Sequence, residues 1–253
     1  MRELRFDRNG SSPREWRSYS FEMPKLLIRS IALGLAWALV ACTTQPATRP
    51  AAAPPVNTVE TEIAPDASAD TLLTDVRTLD STIVVEMRYA TSNNFTGAPL
   101  PGYLANRAFL RREATAALAR VQRGLRSQAL GIKIFDAYRP VRATLAMVDW
   151  TKRVNRTDLL KDGYIASRSR HNLGLAIDCT LIELQTGREL DMGTPFDTFS
   201  SAAHTANASG QVAVNRQKLK AAMEKEGFVN YDQEWWHFSF NVPNPLRFDK
   251  AIE

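Results

Sequence analysis

Histidine and cysteine are scarce in this 253-residue chain, which holds three His and two Cys. Cys42 stands at the end of an N-terminal apolar run, and once it is modified there Cys179 has no partner, which excludes an intramolecular disulfide. Cys179 is then most simply a small buried core residue. The chain also lacks the H-E-x-x-H pattern, which excludes a zinc site built from a helical pair of histidines.

Net charge is also low once the N-terminus is set aside. The formal charge is +5, but residues 1–41 contain seven Lys or Arg and four Asp or Glu, which leaves about +2 for the remainder. That excess is too small to predict a polyanion partner, so we expect no nucleic acid. With 44% apolar residues, 23% charged residues and no internal repeat, the chain is predicted to contain one soluble domain.

The N-terminal apolar run is too short to cross a bilayer. Ile31–Ala41 has 11 residues, whereas a transmembrane helix needs about 20. Lys25 and Arg29 precede it, as in a signal peptide. Met23 is a better candidate than Met1 for the translation start, because residues 1–22 would be an unusually long polar leader. A short transmembrane helix or a buried helix is the alternative interpretation.

The run ends in Leu39-Val40-Ala41-Cys42, which resembles the lipobox of bacterial lipoproteins. It predicts a signal peptide over residues 1–41 and acylation of Cys42, so that the membrane is contacted through the lipid anchor alone. Thr rather than Asp stands at position 43, and we therefore expect a periplasmic protein anchored in the outer membrane. Residues 42–70 are rich in Pro, Ala and Thr and are predicted to be a disordered linker.

Residues 71–253 are predicted to form the folded domain, which mixes helices with short strands. Helical patterns cover Arg107–Ala129, Val141–Val154 directly after Pro140, and Val214–Glu226 before Gly227. Strand patterns cover Thr82–Arg88, Ile132–Phe135, Ala176–Leu184 and Trp235–Phe240. The two kinds of element do not alternate as βαβ units. We therefore predict an α+β fold with a mainly antiparallel central sheet flanked by helices.

Three residue groups carry the chemistry. They are Asp136-Ala-Tyr-Arg139-Pro140, Ser169-Arg-His171-Asn-Leu-Gly174-Leu-Ala-Ile-Asp178 and Glu234-Trp-Trp-His237. A catalytic zinc ion usually takes three protein ligands from His, Asp, Glu or Cys and keeps one position for water. Two imidazoles and one carboxylate fit that requirement, so the groups predict a mononuclear zinc hydrolase.

Spacing along the predicted strands limits how these side chains can meet. Alternation places Asp178 on one face with Ala176 and Thr180, from which it can point into a cleft. Glu234 and His237 are an odd number of residues apart and would lie on opposite faces of an ideal strand. They can converge only if Glu234 lies at a bend or bulge before the strand begins.

Each residue also has an ordinary structural interpretation. His171 could be a polar loop residue and His237 a hydrogen-bonded core imidazole. Arg139 could be a structural ion-pairing residue, and Glu234 could cap a turn. The zinc hypothesis depends on all four occurring together.

The pattern Ser-x-His-x-x-Gly-x-Ala-x-Asp followed by Glu-x-Trp-His is similar to that of the zinc D,D-peptidases. Other segments resemble the VanX-type D-alanyl-D-alanine dipeptidases in particular, over about Leu79 to Phe248: Arg88-Tyr89-Ala90-Thr91, Asn94-Phe95-Thr96-Gly97, Gly102-Tyr103, Met192-Gly193-Thr-Pro-Phe196-Asp197 and Gly227-Phe228. The zinc motif is shared with D,D-carboxypeptidases and with inactive relatives, whereas the Tyr89 and Asp197 segments favour the dipeptidases. The resemblance implies the zinc D,D-peptidase (hedgehog/D,D-peptidase-like) fold.

The resemblance also implies roles for the metal-site residues. One zinc ion per chain would be held by His171, Asp178 and His237. Glu234 would act as general base and then general acid, and Arg139 would stabilise the oxyanion of the tetrahedral intermediate.

Substrate recognition is implied in the same way. Asp197, helped by Tyr89, would bind the free ammonium of a dipeptide and so penalise longer peptides. An ordinary turn role for Asp197 is the alternative. Ser169 would bind the substrate carboxylate or support the metal site. His204 is expected to face solvent or support a loop, with support of the site as the alternative.

The implied activity is hydrolysis of D-Ala-D-Ala, or of related peptidoglycan fragments, to D-alanine. The resistance dipeptidases of this type are cytoplasmic, so for an exported chain we expect salvage during wall turnover. Two alternatives stay open. A D,D-carboxypeptidase or endopeptidase on stem peptides should have an open cleft in place of the Asp197 carboxylate. A non-catalytic wall-binding lipoprotein should have lost Glu234 or a ligand.

Overall fold

The structure is a computed structural model that describes residues 62–253. The predicted signal peptide (residues 1–41), the acylation site Cys42 and the linker as far as residue 61 lie outside the described residues. Within residues 62–253, no helix combines the length and the apolar character needed to cross a membrane.

The described residues form five α-helices and seven β-strands, with short 3₁₀ helices between them. The helices are α1 (Asp66–Leu72), α2 (Arg112–Arg126), α3 (Val141–Arg153), α4 (Asp158–Lys161) and α5 (Gly210–Lys225). The strands are β1 (Leu73–Asp75), β2 (Val84–Val85), β3 (Phe109–Arg111), β4 (Leu130–Asp136), β5 (Ala176–Glu183), β6 (Val229–Asn230) and β7 (His237–Ser239).

A five-stranded sheet in the order β2-β4-β5-β7-β6 forms the centre of the domain. Only β2 and β4 run parallel, and the other neighbouring pairs are antiparallel. β4 and β5 are buried along almost their whole length, and the alternating polar residues Asp178 and Thr180 of β5 are enclosed with the apolar ones. Helix α2 packs against β4 and α5. The predicted α+β class is confirmed, and the parallel pair of β2 with β4 departs from the antiparallel pattern that the sequence predicted for most of the sheet.

Most of the predicted elements occur, with shifted bounds. Helix α3 begins directly after Pro140, whose fixed φ suits the start of a helix, and β5 matches its prediction to within one residue. β4 is longer than predicted, and α5 begins four residues earlier, at Gly210. The β-rich stretch Thr82–Arg88 forms strand only at β2.

Two elements are shorter than predicted, because residues at their predicted N-terminal ends form other secondary structure. The helix predicted from Arg107 begins at Arg112, because Phe109–Arg111 pair with β1 as an antiparallel strand. The strand predicted from Trp235 begins at His237, because the two tryptophans before it form a turn.

The folded part of the described residues begins before the boundary predicted near Thr71. Helix α1 begins at Asp66, so the last residues of the predicted linker belong to the fold. The Ala64 N–H donates to the Arg247 carbonyl at 2.8 Å, and Ala69 is buried in the core. Composition alone suggested a tether, since this stretch lacks large apolar residues. A helix of small residues can nevertheless pack closely against a core.

Gly174 is required by both its backbone conformation and its surroundings. It ends the 3₁₀ helix Arg170–Leu173 with φ +64°, in the left-handed region. A Cβ at this position would lie 2.5 Å from Leu73 Cδ2 and 3.2 Å from the Arg111 backbone nitrogen. The turn between His171 and β5 therefore depends on glycine.

Gly174→Ala is expected to lower the free energy of unfolding by about 2–4 kcal/mol, because it adds left-handed strain, a clash with the Leu73 side chain and a tight contact with the Arg111 backbone. Gly124→Ala is the matched control: Gly124 lies in α2 with nothing within 4 Å of an added Cβ. It should raise stability by about 0.5–1 kcal/mol. Urea denaturation of both variants measures the difference, and a Gly174→Ala protein as stable as the parent would contradict the packing described here.

Candidate metal centre and active site

Strand register brings three polar residues of the site into one row. In the antiparallel pairs, Asp136 of β4 lies opposite Asp178 of β5, and Asp178 lies opposite His237 of β7. The register of β4 shifts between Ile134 and Asp136, which indicates a β-bulge. A bulge re-aims the side chains that follow it, and here it places Asp136 beside the site.

The three predicted ligands converge on one point. His171 Nε2 lies 3.2 Å from His237 Nδ1 and 3.4 Å from Asp178 Oδ2, and His237 Nδ1 lies 2.9 Å from Asp178 Oδ1. One ligand atom from each residue falls within 4.8 Å of the others. His171 and Asp178 are almost fully buried, as expected for a site whose ligands are held rigidly.

The protonation states of these side chains suit a metal ion. His171 Nδ1 lies 2.6 Å from the Ala137 carbonyl and donates to it, which leaves the Nε2 lone pair directed at the site. Burial alone would raise the pKa of Asp178, but the imidazoles of His171 and His237 lower that pKa below its usual range. Burial lowers the pKa of His237. An ionised carboxylate and neutral imidazoles are the forms that bind zinc, so the donor set fits that ion.

Ser169 and Asn172 fix the loop that carries His171. The His171 N–H donates to Ser169 Oγ at 3.2 Å, and the Ser169 N–H donates to Asn172 Oδ1 at 3.3 Å, as in a capping box. Asn172 Nδ2 also donates to the Arg139 carbonyl and to Thr144 Oγ1, each at 2.9 Å. Of the two roles predicted for Ser169, these contacts support the structural one, while its side chain also lines the cavity.

Glu234 lies in the turn before β7, as the sequence spacing required. Its N–H donates to the Tyr231 carbonyl at 2.9 Å, and its carbonyl accepts from the His237 N–H at 3.2 Å. Glu234 Oε2 lies 3.8 Å from His237 Nδ1. Burial, assisted by the negative charges of Asp178 and Asp197, raises the pKa of Glu234 well above its usual value. A carboxyl group with a raised pKa can both accept and donate a proton near neutral pH.

Arg139 is held by Asp136, for which the sequence analysis proposed no role. Asp136 Oδ2 accepts from Arg139 Nε at 2.9 Å and lies 2.8 Å from Nη2, while Asp136 Oδ1 accepts from the Tyr103 hydroxyl at 2.5 Å. Arg139 Nη2 lies 3.8 Å from Asp178 Oδ2. Burial would lower the pKa of Arg139, but Asp136 raises it, so the guanidinium stays charged. The sequence did contain one signal for this pairing: an acidic residue stands three positions before the arginine, at the end of a strand.

Asp197 and Tyr89 meet as the resemblance implied. The Tyr89 hydroxyl donates to Asp197 Oδ1 at 2.9 Å, whereas the buried Oδ2 has no hydrogen-bond partner among the described residues. Asp197 adopts φ +62°, which is rare for a residue with a side chain. Burial raises the pKa of Asp197 to about 8. At neutral pH the buried group without a ligand is therefore mostly protonated, and a cationic ligand at Oδ2 would stabilise its ionised form.

All of the proposed site residues line one cavity of about 190 Å³. That volume is below the roughly 300–1,000 Å³ of sites for drug-sized ligands, so a small ligand suits it. His204 does not line it. Tyr164 lines the cavity, and its hydroxyl lies 3.1 Å from His204 Nε2. His204 therefore supports the cavity wall from behind. A larger cavity of about 700 Å³ shares only Phe95 and Asp197 with the first and contains none of the metal ligands.

The converging ligands, the buried glutamate and the charged arginine define a zinc metallopeptidase. The sequence model of the family Peptidase_M15, described as D-ala-D-ala dipeptidase, matches residues 69–246. The chain belongs to this family.

Named relatives agree with the family assignment. The D-alanyl-D-alanine dipeptidase of Enterococcus faecium is 36% identical over 168 residues, which cover 60% of this chain and 83% of the relative. That of Escherichia coli K12 is 32% identical over 173 residues, which cover 68% of this chain and 86% of the relative. The solved structure of the vancomycin resistance D,D-dipeptidase VanXYg with a D-Ala-D-Ala phosphinate analogue is 18% identical, covers 68% of each chain and gives a TM-score of 0.37. A likeness that distant supports no functional conclusion.

Removal of a ligand is expected to abolish stable zinc binding. His171→Ala and Asp178→Ala should retain far less than one zinc ion per chain after dialysis, because two ligands cannot complete the site. Glu234→Gln is the control and should retain zinc like the parent, since Glu234 is not among the converging ligands. Elemental analysis of the dialysed proteins measures this. Equal zinc loss in Glu234→Gln, or full retention in His171→Ala, would contradict the assigned ligand set.

Proposed function

We propose that this protein hydrolyses the dipeptide D-alanyl-D-alanine to two molecules of D-alanine. Family membership and the names of the relatives support this activity. The observation that carries it is the buried Oδ2 of Asp197, which has no hydrogen-bond partner within the described part of the chain and lies in the wall of the small cavity that contains the metal ligands. This oxygen offers a place for a free ammonium group near the metal centre, which is what distinguishes a dipeptide from a longer chain.

His171, Asp178 and His237 would hold the zinc ion. When bound, zinc supplies Lewis-acid activation of the attacking water and of the scissile carbonyl. The Glu234 carboxylate accepts the proton released by that water and returns it to the leaving amine nitrogen. Its raised pKa and its position beside His237 suit both transfers.

Arg139 stabilises the negative charge that develops on the carbonyl oxygen. Asp136 engages its Nε and Nη2. Among residues 62–253, the one hydrogen-bond acceptor of Nη1 is the weakly accepting sulfur of Met147, at 3.3 Å. Nη1 is therefore the donor that can turn to the oxyanion. Asp136 keeps the guanidinium in place before the substrate arrives, so little reorganisation is needed in the transition state.

Asp197 selects for a free amino terminus. The substrate ammonium would complete the hydrogen bonding of Oδ2 and compensate the buried negative charge. An acylated amine or a longer peptide has a neutral amide at the nitrogen that would lie beside Asp197, so the ion pair with Oδ2 cannot form. Tyr89 fixes the direction of the carboxylate through Oδ1.

The zinc-loaded protein is expected to release D-alanine from D-Ala-D-Ala but not from N-acetyl-D-Ala-D-Ala or from a stem pentapeptide that ends in D-Ala-D-Ala. Glu234→Ala is the blank. Asp197→Asn should lower kcat/KM for the dipeptide by about 30- to 5,000-fold, which corresponds to the roughly 2–5 kcal/mol for losing one partner of a buried charge pair. Asp149→Asn, at an exposed acid on α3, is the matched control and should leave kcat/KM unchanged.

The other outcomes identify the alternatives. Release from the acylated or pentapeptide substrate would contradict the dipeptidase proposal and indicate a carboxypeptidase. Absence of release from all three substrates would favour a different dipeptide substrate or a non-catalytic wall-binding protein.

We further propose that the protein is exported, acylated at Cys42 and anchored in the outer membrane facing the periplasm, with the catalytic domain on the C-terminal side of the linker. The motif Leu39-Val40-Ala41-Cys42, preceded by a short apolar run, supports this. In that location the enzyme would recover D-alanine from dipeptides released by wall turnover.

Cys42→Ser is expected to abolish labelling by a fatty-acid analogue and to remove the protein from the outer-membrane fraction, because the acyl chains provide the anchor. Thr43→Asp should stay acylated and move to the inner membrane. Separation of the two membranes on a density gradient, with detection of the label, measures both variants. Unchanged labelling of Cys42→Ser would refute the anchor.

A further inference from the structure

We infer that Arg168 binds the C-terminal carboxylate of the substrate. This inference rests on the proposed dipeptidase function and extends it to the other end of the dipeptide. Arg168 lies on the segment between α4 and the 3₁₀ helix that carries His171, directly before Ser169, and it lines the catalytic cavity.

The charges around the cavity require a cation for that carboxylate. Acidic side chains that line the cavity are those of Asp178, Asp197 and Glu234. A free dipeptide has one ammonium and one carboxylate at neutral pH. If Asp197 takes the ammonium, the carboxylate still has to lie in a cavity lined by the acidic groups of Asp178 and Glu234 as well as by three arginines. It needs a positive partner there, because a charge removed from water without one is strongly unfavourable.

The two other arginines that line the cavity are already engaged. Arg139 is held by Asp136 and has its proposed role at the scissile carbonyl. Arg170 Nη2 donates to the Phe240 carbonyl and, at 2.7 Å, to Asn241 Oδ1, which fixes it against the segment after β7. Arg170 therefore faces protein groups.

Arg168 differs from both of these arginines. It is exposed at the cavity and forms no ion pair or hydrogen bond with any residue of the described range 62–253. Its guanidinium can therefore meet a ligand without breaking a protein contact. A guanidinium presents two parallel N–H groups that match the two oxygens of a carboxylate, which a lysine cannot do.

The test compares D-Ala-D-Ala with D-alanyl-D-alaninamide, whose terminal carboxylate is replaced by a neutral amide. Steady-state kinetics of the zinc-loaded full-length protein are measured for the parent, Arg168→Gln and Arg168→Lys. Arg153→Gln, at an exposed arginine on α3, is the matched control for loss of a surface charge.

Arg168→Gln should lower kcat/KM for the dipeptide about tenfold, chiefly through KM, as expected for the loss of one charged hydrogen-bonding contact at a solvent-accessible position. Its kcat/KM for the amide should equal that of the parent, so the preference for the free carboxylate falls by the same factor. Arg168→Lys keeps the charge but not the paired donors, so its kcat/KM for the dipeptide should fall less than that of Arg168→Gln. Arg153→Gln should leave kcat/KM unchanged for both substrates.

Two results would overturn the inference while leaving the dipeptidase function intact. One is an unchanged kcat/KM of Arg168→Gln on the dipeptide. The other is an equal loss on the dipeptide and the amide, which would show that Arg168 does not contact the carboxylate. Failure of the parent protein to cleave the dipeptide would overturn the proposed function and this inference together.

Discussion

The pairing of β5 with β4 on one side and β7 on the other is the constraint from which the active site follows. These strands are central to the sheet, and the apolar side chains of β5, such as Ile177, Cys179 and Leu181, are fully buried. A slip of one residue would turn each buried side chain to the opposite face, so the core holds the register firmly. The same register sets Asp136, Asp178 and His237 side by side. The hydrophobic core therefore fixes the geometry of two proposed ligands.

Charge balance inside the domain links the core to the chemistry. Asp136 and Asp178 are both buried, and Arg139 lies between them, 2.8 Å from one carboxylate and 3.8 Å from the other. Such a group of charges is stable only when every member has partners. The Tyr103 hydroxyl completes the shell of Asp136, whose Oδ2 also lies 3.4 Å from His171 Nδ1. The network that makes these charges tolerable in the interior is also the one that aims Arg139 and His171.

Local sequence patterns predicted the parts of the fold that depend on neighbouring residues. Pro140 marked the start of α3, alternation identified β5, and the odd spacing of Glu234 and His237 required the bend that the structure contains. The family resemblance supplied the choice of Asp197 and Tyr89, which the structure brings into contact. Their roles remain predictions for the experiments to test.

Features that depend on distant residues could not be predicted in the same way. Phe109–Arg111 continue the pattern of α2 and become a strand only because β1, far earlier in the chain, pairs with them. Helix α1 has the composition of a tether and folds because a pocket of the core accepts Ala69. The importance of Asp136 depends on Tyr103 and His171, neither of which is adjacent to it in sequence.

The contact between His171 and the Ala137 carbonyl has a consequence for how the site responds to mutation. A backbone acceptor is present whatever side chain occupies the position, so no substitution at residue 137 can delete this hydrogen bond directly. Ala137 is completely buried, and that position is constrained by volume rather than by chemistry. This one contact of His171 is thereby insulated from point mutation, whereas its contacts with Asp136 and Ser169 can each be deleted by a single substitution.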